Sequence, residues 1–224
     1  MHPARDVNTP AEVLARLATD SNHLIRGLVA KNRATPGSVL RRLAKDQDSF
    51  VRKEAASNPS LPVRALSQLA KDENASVRRG AASHPGIDAW RLNRLARDES
   101  PSVRASAAAH TFAANRLEKL SQDPSHEVRC AVGANIRAFP GTVEHLARDP
   151  DAKVRCGPAA NPRTSDDALY VLACDSNELV RTIVALNGST PVWVLSHLLT
   201  DPIKIVRESA KQSLIESGYT PGDS

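Results

Sequence analysis

Leu40-Arg41-Arg42-Leu43-Ala44-Lys45-Asp46, followed after four residues by Val51-Arg52-Lys53-Glu54-Ala55-Ala56-Ser57-Asn58, is the stretch from which the rest of the chain can be read. Leu40, Leu43 and Ala44 stand at i, i+3 and i+4, the period that lines one side of a helix. The aspartate interrupts that pattern, and a second short segment then runs to an asparagine. Two short helices are expected, with the aspartate ending the first and N-capping the second by accepting from its first amides. Asparagine tolerates the left-handed turn that closes a helix, and a following proline prevents continuation. The second segment is only about eight residues long, short enough to be partly 3₁₀.

Working outward, the same letters return along nearly the whole chain. The aspartate recurs at Asp20, Asp46, Asp72, Asp98, Asp123, Asp149, Asp175 and Asp201, at spacings of 26, 26, 26, 25, 26, 26 and 26. Six residues after each comes Arg26, Arg52, Arg78, Arg104, Arg129, Arg155, Arg181 or Arg207, and three before each stands a leucine, from Leu17 to Leu198. Self-similarity at a fixed period is the signature of a repeat architecture. Eight units occupy about 9–216, leaving a lead-in of 1–8 and a terminal segment, 217–224, expected to fray as a cap. One repeat domain over 1–224 is the organisation this predicts. Pro10, Pro36, Pro62 and Pro191 fall before or at the first turn of the leading helix, where a missing N–H costs nothing. Asp123-Pro124, Asp149-Pro150 and Asp201-Pro202 would put proline at the first position of the second helix.

Composition narrows the class. Aromatic residues make up 3% of the chain, too few for an ordinary β-sandwich or barrel core. No run approaches the ~18 apolar residues of a membrane span, and Met1 to Asp6 lack the layout of a secretory signal. Three cysteines give no disulfide framework and suit a reducing cytoplasm. A period of 26 also falls among leucine-rich repeats, but those need a Leu-x-Leu strand and none occurs here.

The repeat Leu-x-x-Leu-Ala-x-Asp-x-x-x-x-Val-Arg-x-x-x-Ala-x-Asn-x-x-x-Pro resembles the leucine-rich repeat variant family, a relative of the HEAT repeats, over roughly nine-tenths of the chain. The resemblance implies a right-handed superhelix of alternating α and short 3₁₀ helices, and no catalytic activity. Members with an iron–sulfur centre carry a cysteine cluster ahead of the repeats. No cysteine precedes Cys130, so that cofactor is not carried over.

An octuplicate Asp–Arg pair reads as framework: each aspartate is expected to cap a helix and to meet an arginine of its own or a neighbouring unit. Ala30, Ala56, Ala82, Ala108, Ala159 and Ala185, with Gly133 in repeat five, form a second ladder whose small side chains let stacked helices approach. Function is then expected where repeats differ. Arg16, Arg42, Lys45, Lys71, Arg94, Arg97, Lys119 and Arg148 stand four or one before the repeat aspartate and share one helix face. Residues 1–112 hold 18 Lys and Arg against 11 Asp and Glu, whereas 113–224 hold 12 against 14. Trp90 and Trp193 share the position eight before the aspartate, where the other repeats carry mostly polar residues. Each is expected either to anchor a partner or to cover a local gap.

His84 and His110 stand in for the closing asparagine. Cys130 and Cys156 repeat one position and are expected to be small buried residues, with Cys174 more exposed. No pairing of metal-ligand spacing is present. Gly157-Pro158 inside a second segment is expected to bend or break that helix. The chain therefore reads as an all-α solenoid of eight two-helix repeats, without enzymatic chemistry, cofactor or metal, monomeric and cytoplasmic. It would bind a protein or peptide, acidic for the N-terminal half, or alternatively nucleic acid through the basic stripe.

Overall fold

The computed structural model describes residues 3–218. Its helices come in pairs, one pair per repeat: α1 (Ala11–Leu17) with α2 (His23–Lys31), α3 (Gly37–Leu43) with α4 (Ser49–Ser57), α5 (Val63–Leu69) with α6 (Ala75–Ala82), and α7 (Ala89–Leu95) with α8 (Pro101–His110). The later pairs are α9 (Ala114–Leu120) with α10 (His126–Ala134), α11 (Pro140–Leu146) with α12 (Ala152–Ala160), α13 (Asp166–Ala173) with α14 (Glu178–Leu186), and α15 (Val192–Leu198) with α16 (Lys204–Glu216). No strand occurs among the described residues. The chain divides into two compact units of four pairs each, the first ending at His110 and the second beginning at Thr111.

Within each unit the second helices stack in series, α2 on α4 on α6 on α8 and α10 on α12 on α14 on α16. The core is a repeated set of three side chains. Leu40, Leu43 and Val51, for instance, are buried, as are Leu66, Leu69 and Val77 in the next pair. Burying each such side chain stabilises by roughly 1.5–3 kcal/mol. All six alanines of the small-residue ladder are fully buried, and Gly133 is buried at its place in the series.

Several sequence expectations are corrected. The second segments are α-helices of 8 to 13 residues, not partly 3₁₀; the one 3₁₀ helix among the described residues is Pro3–Arg5. The repeat aspartate is not the N-cap. That place belongs to the residue two positions later, and Asn22, Asp48, Asn74, Asp151 and Asn177 accept from the amide two further on. The aspartate instead accepts from the backbone N–H of the cap residue, at 2.8–2.9 Å in all eight repeats. Pro124, Pro150 and Pro202 consequently lie in the turn ahead of the helix. Pro10, Pro36, Pro62 and Pro191 do take the positions expected of them, as N-caps of α1, α3, α5 and α15.

The closing asparagines are extended rather than left-handed, with φ −68° and ψ 124° at Asn32. Their side chains are needed elsewhere. Asn58 Nδ2 donates to the carbonyls of Ala30 and Asn32, 2.7 and 2.9 Å away, tying each helix end to the previous repeat. Asn161 and Asn187 repeat the arrangement. His84 does likewise. Its Nδ1 accepts from Gly86 N–H, which leaves Nε2–H to donate to the Asn58 carbonyl at 2.9 Å. Burial pushes the His84 pKa below its ordinary value, against the raising effect of the bond to Asn58.

Both ends of the described chain depart from the simple picture. Asn32 Nδ2 donates to Ala4 and Asp6 carbonyls, and Ala4 is fully buried. Ala4 and Asp6 lie 26 residues before Ala30 and Asn32, and their carbonyls take the bonds from Asn32 that the Ala30 and Asn32 carbonyls take from Asn58. At the other end Ser213 takes the asparagine's place, its hydroxyl donating to the Ala185 carbonyl. Gly218, at φ +80°, closes α16; residues 219–224 of the expected frayed cap lie outside the described residues. Pro158 does not break α12, which runs through it. The accommodation is on the partner helix, where a Cβ on Gly133 would sit 2.4 Å from Pro158 Cδ. Gly157 meets the Cys130 carbonyl just as closely, so two glycines let α10 and α12 approach.

Candidate binding surface

The Asp–Arg ladder connects successive repeats. Arg26 Nε and Nη2 donate to Asp46 Oδ2 and Oδ1 at 2.7 and 2.9 Å, a two-pronged bond from one repeat to the next. Arg52–Asp72 and Arg78–Asp98 do the same in the first unit, and Arg129–Asp149, Arg155–Asp175 and Arg181–Asp201 in the second. The remaining nitrogen of each arginine points home: Arg52 Nη1 donates to the Asp46 and Gln47 carbonyls of its own repeat. Arg104 and Arg207 make the same inward contacts, to Asp98 and Asp201 carbonyls. The ladder thus bridges own and neighbouring units at once, which the sequence left open.

These pairs are nearly buried, the aspartates of the six bridges keeping at most 10% of their side-chain surface. All six carboxyl groups are held below the ordinary aspartate range. At Asp46 and Asp201 the arginine hydrogen bond is the largest influence. At Asp72, Asp98, Asp149 and Asp175 burial, which favours the neutral acid, is the largest single influence; the arginine bond, a backbone amide and guanidinium charge together outweigh it. The carboxylates with an internal guanidinium are therefore satisfied within the fold.

The variable cations are placed differently. Arg16, Arg42, Lys45, Lys71 and Arg97 are exposed on the first helices and following turns of the first unit, with Arg94 half-buried. Lys119 and Arg148 are exposed in the second unit. Three also bond to backbone: Arg42 and Arg94 donate to the Ala15 and Ala70 carbonyls of the preceding repeat, and Arg148 to the Glu144 carbonyl of its own. Between α3 and α5 lies a shallow groove of about 580 Å³ lined by Arg41, Arg42, Lys45, Arg64 and Gln68. Arg41 and Arg64 were not among the sequence candidates. They stand five and eight before the repeat aspartate, positions where most repeats carry no cation, and the signal was their sharing of one face with Lys45 and Gln68.

Trp90 and Trp193 remain 67% and 50% exposed, so neither fills a gap. Trp90 has the Arg94 guanidinium 5.9 Å from its ring centroid. Trp193 lies 5.2 Å from Tyr170, whose ring also meets His197 edge-on at 5.5 Å. Cys174, exposed as expected, is 3.7 Å from His197 Nε2. Tyr170 was missed because it stands at a repeat position otherwise held by small and polar residues. Cys130 and Cys156 are half-buried rather than fully buried, and burial raises both thiol pKa values. Among the described residues no three His, Cys, Asp or Glu side chains are grouped to hold a metal ion, and no helix is long and apolar enough to cross a membrane.

No protein-family model and no curated protein matches the chain. Among solved structures it is similar to a leucine-rich repeat variant with a novel repetitive structural motif, at 24% identity over 95% of this chain and 85% of that one, with a TM-score of 0.56. Fainter likenesses include an archaeal HEAT-like repeats protein from Thermococcus onnurineus NA1 (17% identity, 94% and 98% covered, TM-score 0.40) and a designed armadillo repeat protein in complex with the peptide (KR)4 (19%, 95% and 97%, 0.33). At 24% identity, what the chain shares with the first of these is the fold. The paired helices, the bridging ladder and the first of these likenesses agree: the chain has the helical-repeat fold of the solenoid class, the fold represented by the leucine-rich repeat variant structure.

Proposed function

We propose that this protein is a non-enzymatic binding scaffold whose first helices present an exposed face to a protein or peptide partner, and that the first unit selects an acidic one. The observation that carries this reading is a division of charge. The stretches 37–45 and 63–71 contain five cations, Arg41, Arg42, Lys45, Arg64 and Lys71, and no carboxylate. The nearest aspartates of the repeats, Asp46 and Asp72, are already neutralised by Arg26 and Arg52. The positive charge therefore faces outward without an internal counterion, the condition for electrostatic steering of an anionic partner. A nucleic-acid partner would use the same charge, but sequence-tolerant strand binding rests on aromatic stacking platforms, and no aromatic residue stands in either stretch.

Fluorescence anisotropy with a labelled Glu/Asp-rich peptide and a single-stranded oligonucleotide of equal net charge tests this. The peptide is expected to bind with marked salt dependence, and K45E/K71E/R97E to weaken it about tenfold or more. All three side chains are exposed, so melting is expected to change little. Preference for the oligonucleotide would move the assignment to nucleic acid, and absence of binding to both at low salt would remove it.

A further inference from the structure

We propose that the groove between α3 and α5 is a phosphomonoester site, taking a phosphorylated side chain of the partner polypeptide; this rests on the acidic-partner reading above and names what that partner carries. Three of the groove's lining residues are arginines and one is a lysine, converging from two helices. Arg41 and Lys45 are one helical turn apart on one wall, and Arg64 and Gln68 one turn apart on the other. Gln68 adds a neutral amide donor, while Ala44 and Ala65 keep the floor low enough for a side chain to enter. Arg42 also lines the groove, with one nitrogen donating to the Ala15 carbonyl of α1.

The choice of phosphate over carboxylate follows from what these groups recognise. A guanidinium offers planar, paired donors that match phosphate and carboxylate oxygens, whereas an ammonium acts as a point charge. A carboxylate brings one charge and two oxygens. A phosphomonoester brings close to two charges and three acceptor oxygens, so it has more charge and more acceptors to share between donors of the two walls. The groove is also local to two repeats, which suits a single dianionic group on a chain better than an extended phosphodiester track.

The test is anisotropy with three versions of one labelled acidic peptide, carrying phosphoserine, glutamate or serine at the central position, with an oligonucleotide as the fourth probe. The phosphopeptide is expected to bind about tenfold more tightly than the glutamate peptide, with inorganic phosphate competing. R41K/R64K, which keeps the charge and removes the paired donors, should erase that preference while leaving glutamate-peptide binding nearly unchanged; R41Q/R64Q should weaken both. Circular dichroism melting monitors folding, and the exposed positions of Arg41 and Arg64 make both variants tolerable. Equal binding of phospho- and glutamate peptides would overturn the phosphomonoester assignment and leave the acidic-partner reading standing. An oligonucleotide bound as tightly as the phosphopeptide would overturn it in favour of a phosphodiester ligand. Loss of all binding at low salt would end both readings.

Discussion

The two units are built on one framework and wear different surfaces. In each, two-pronged arginine bridges join neighbouring repeats, and asparagine side chains reach back to the previous helix end. On the first helices, however, the first unit shows Arg41, Arg42, Lys45, Arg64 and Arg97, while the second shows Glu118, Gly141, Glu144, Tyr170, Val171 and Trp193. The lesson is that buried and bridging positions are set by contact with an identical neighbour, so they repeat. The outward positions meet no neighbour of the same kind and are free to differ, and the cation-lined groove between α3 and α5 in the first unit and the Tyr170–Trp193 pair in the second are the result.

The largest expected effect breaks the shared framework. Arg52→Ala in the first unit and Arg155→Ala in the second leave Asp72 or Asp175 nearly buried without its guanidinium, and each should cost about 3–5 kcal/mol. Urea unfolding would measure it. Similar losses in both units would support a common framework, and a loss in one alone would break the comparison.

A smaller effect singles out the second unit. Gly133→Ala should destabilise by about 1–3 kcal/mol, because the new methyl would press on Pro158. Elsewhere the ladder carries alanine at this place without harm. The double variant G133A/P158A should recover most of the loss in the same unfolding measurement. Failure to recover would show that the glycine is needed for a reason other than the proline ring.

The two units also differ in pH dependence. The depressed ladder aspartates contribute stability that is complete above the ordinary aspartate range, near pH ~4, and lost as the pH falls below it, in both units. His84 belongs to the first unit alone. Its folded pKa is lowered, so the unfolded chain takes up the proton first and stability declines as the pH falls below ~6.5. His84→Asn, which copies Asn58 and Asn161, should abolish the decline between pH 7 and 5 while leaving the acid transition near pH 4. Melting temperature across that range is the readout.

The smallest effect is chemical. Exposed Cys174 should react with a thiol reagent well before Cys130 and Cys156, whose thiols are half-buried and raised in pKa. One fast and two slow phases, the fast one missing in Cys174→Ser, are expected. Three equal phases would contradict the packing described for α10 and α12.

How far the sequence could be read depended on whether a residue's contacts were local. Leu40, Leu43 and Val51 face the core by helical period, and the 26-residue return of Asp and Arg is visible without coordinates. The part of Asp46 was misread because a short polar residue before a helix suits both a cap and a pre-cap turn. Asp48 took the cap, and Arg26 from the previous repeat claimed both oxygens of the Asp46 carboxylate. Asn58 likewise looked like a turn residue, since nothing local reveals that its amide is spent on the repeat before it. The lead-in was legible in principle, as Ala4 and Asp6 keep the 26-residue phase, but without the leucines and arginine the phase alone carried too little signal. Arg41, Arg64 and Tyr170 stand at variable positions, where a repeat average erases what is individual.

Arginines that tie one repeat to the next are the centre of this architecture, and a double-mutant cycle on Arg52 and Asp72 tests them most directly. Unfolding free energies of R52A, D72A and R52A/D72A should show a coupling of about 2 kcal/mol or more, because removing both partners spares the cost of stranding one. Additive losses, with coupling near zero, would mean that the bridge is incidental and that the repeats are joined by their apolar faces alone.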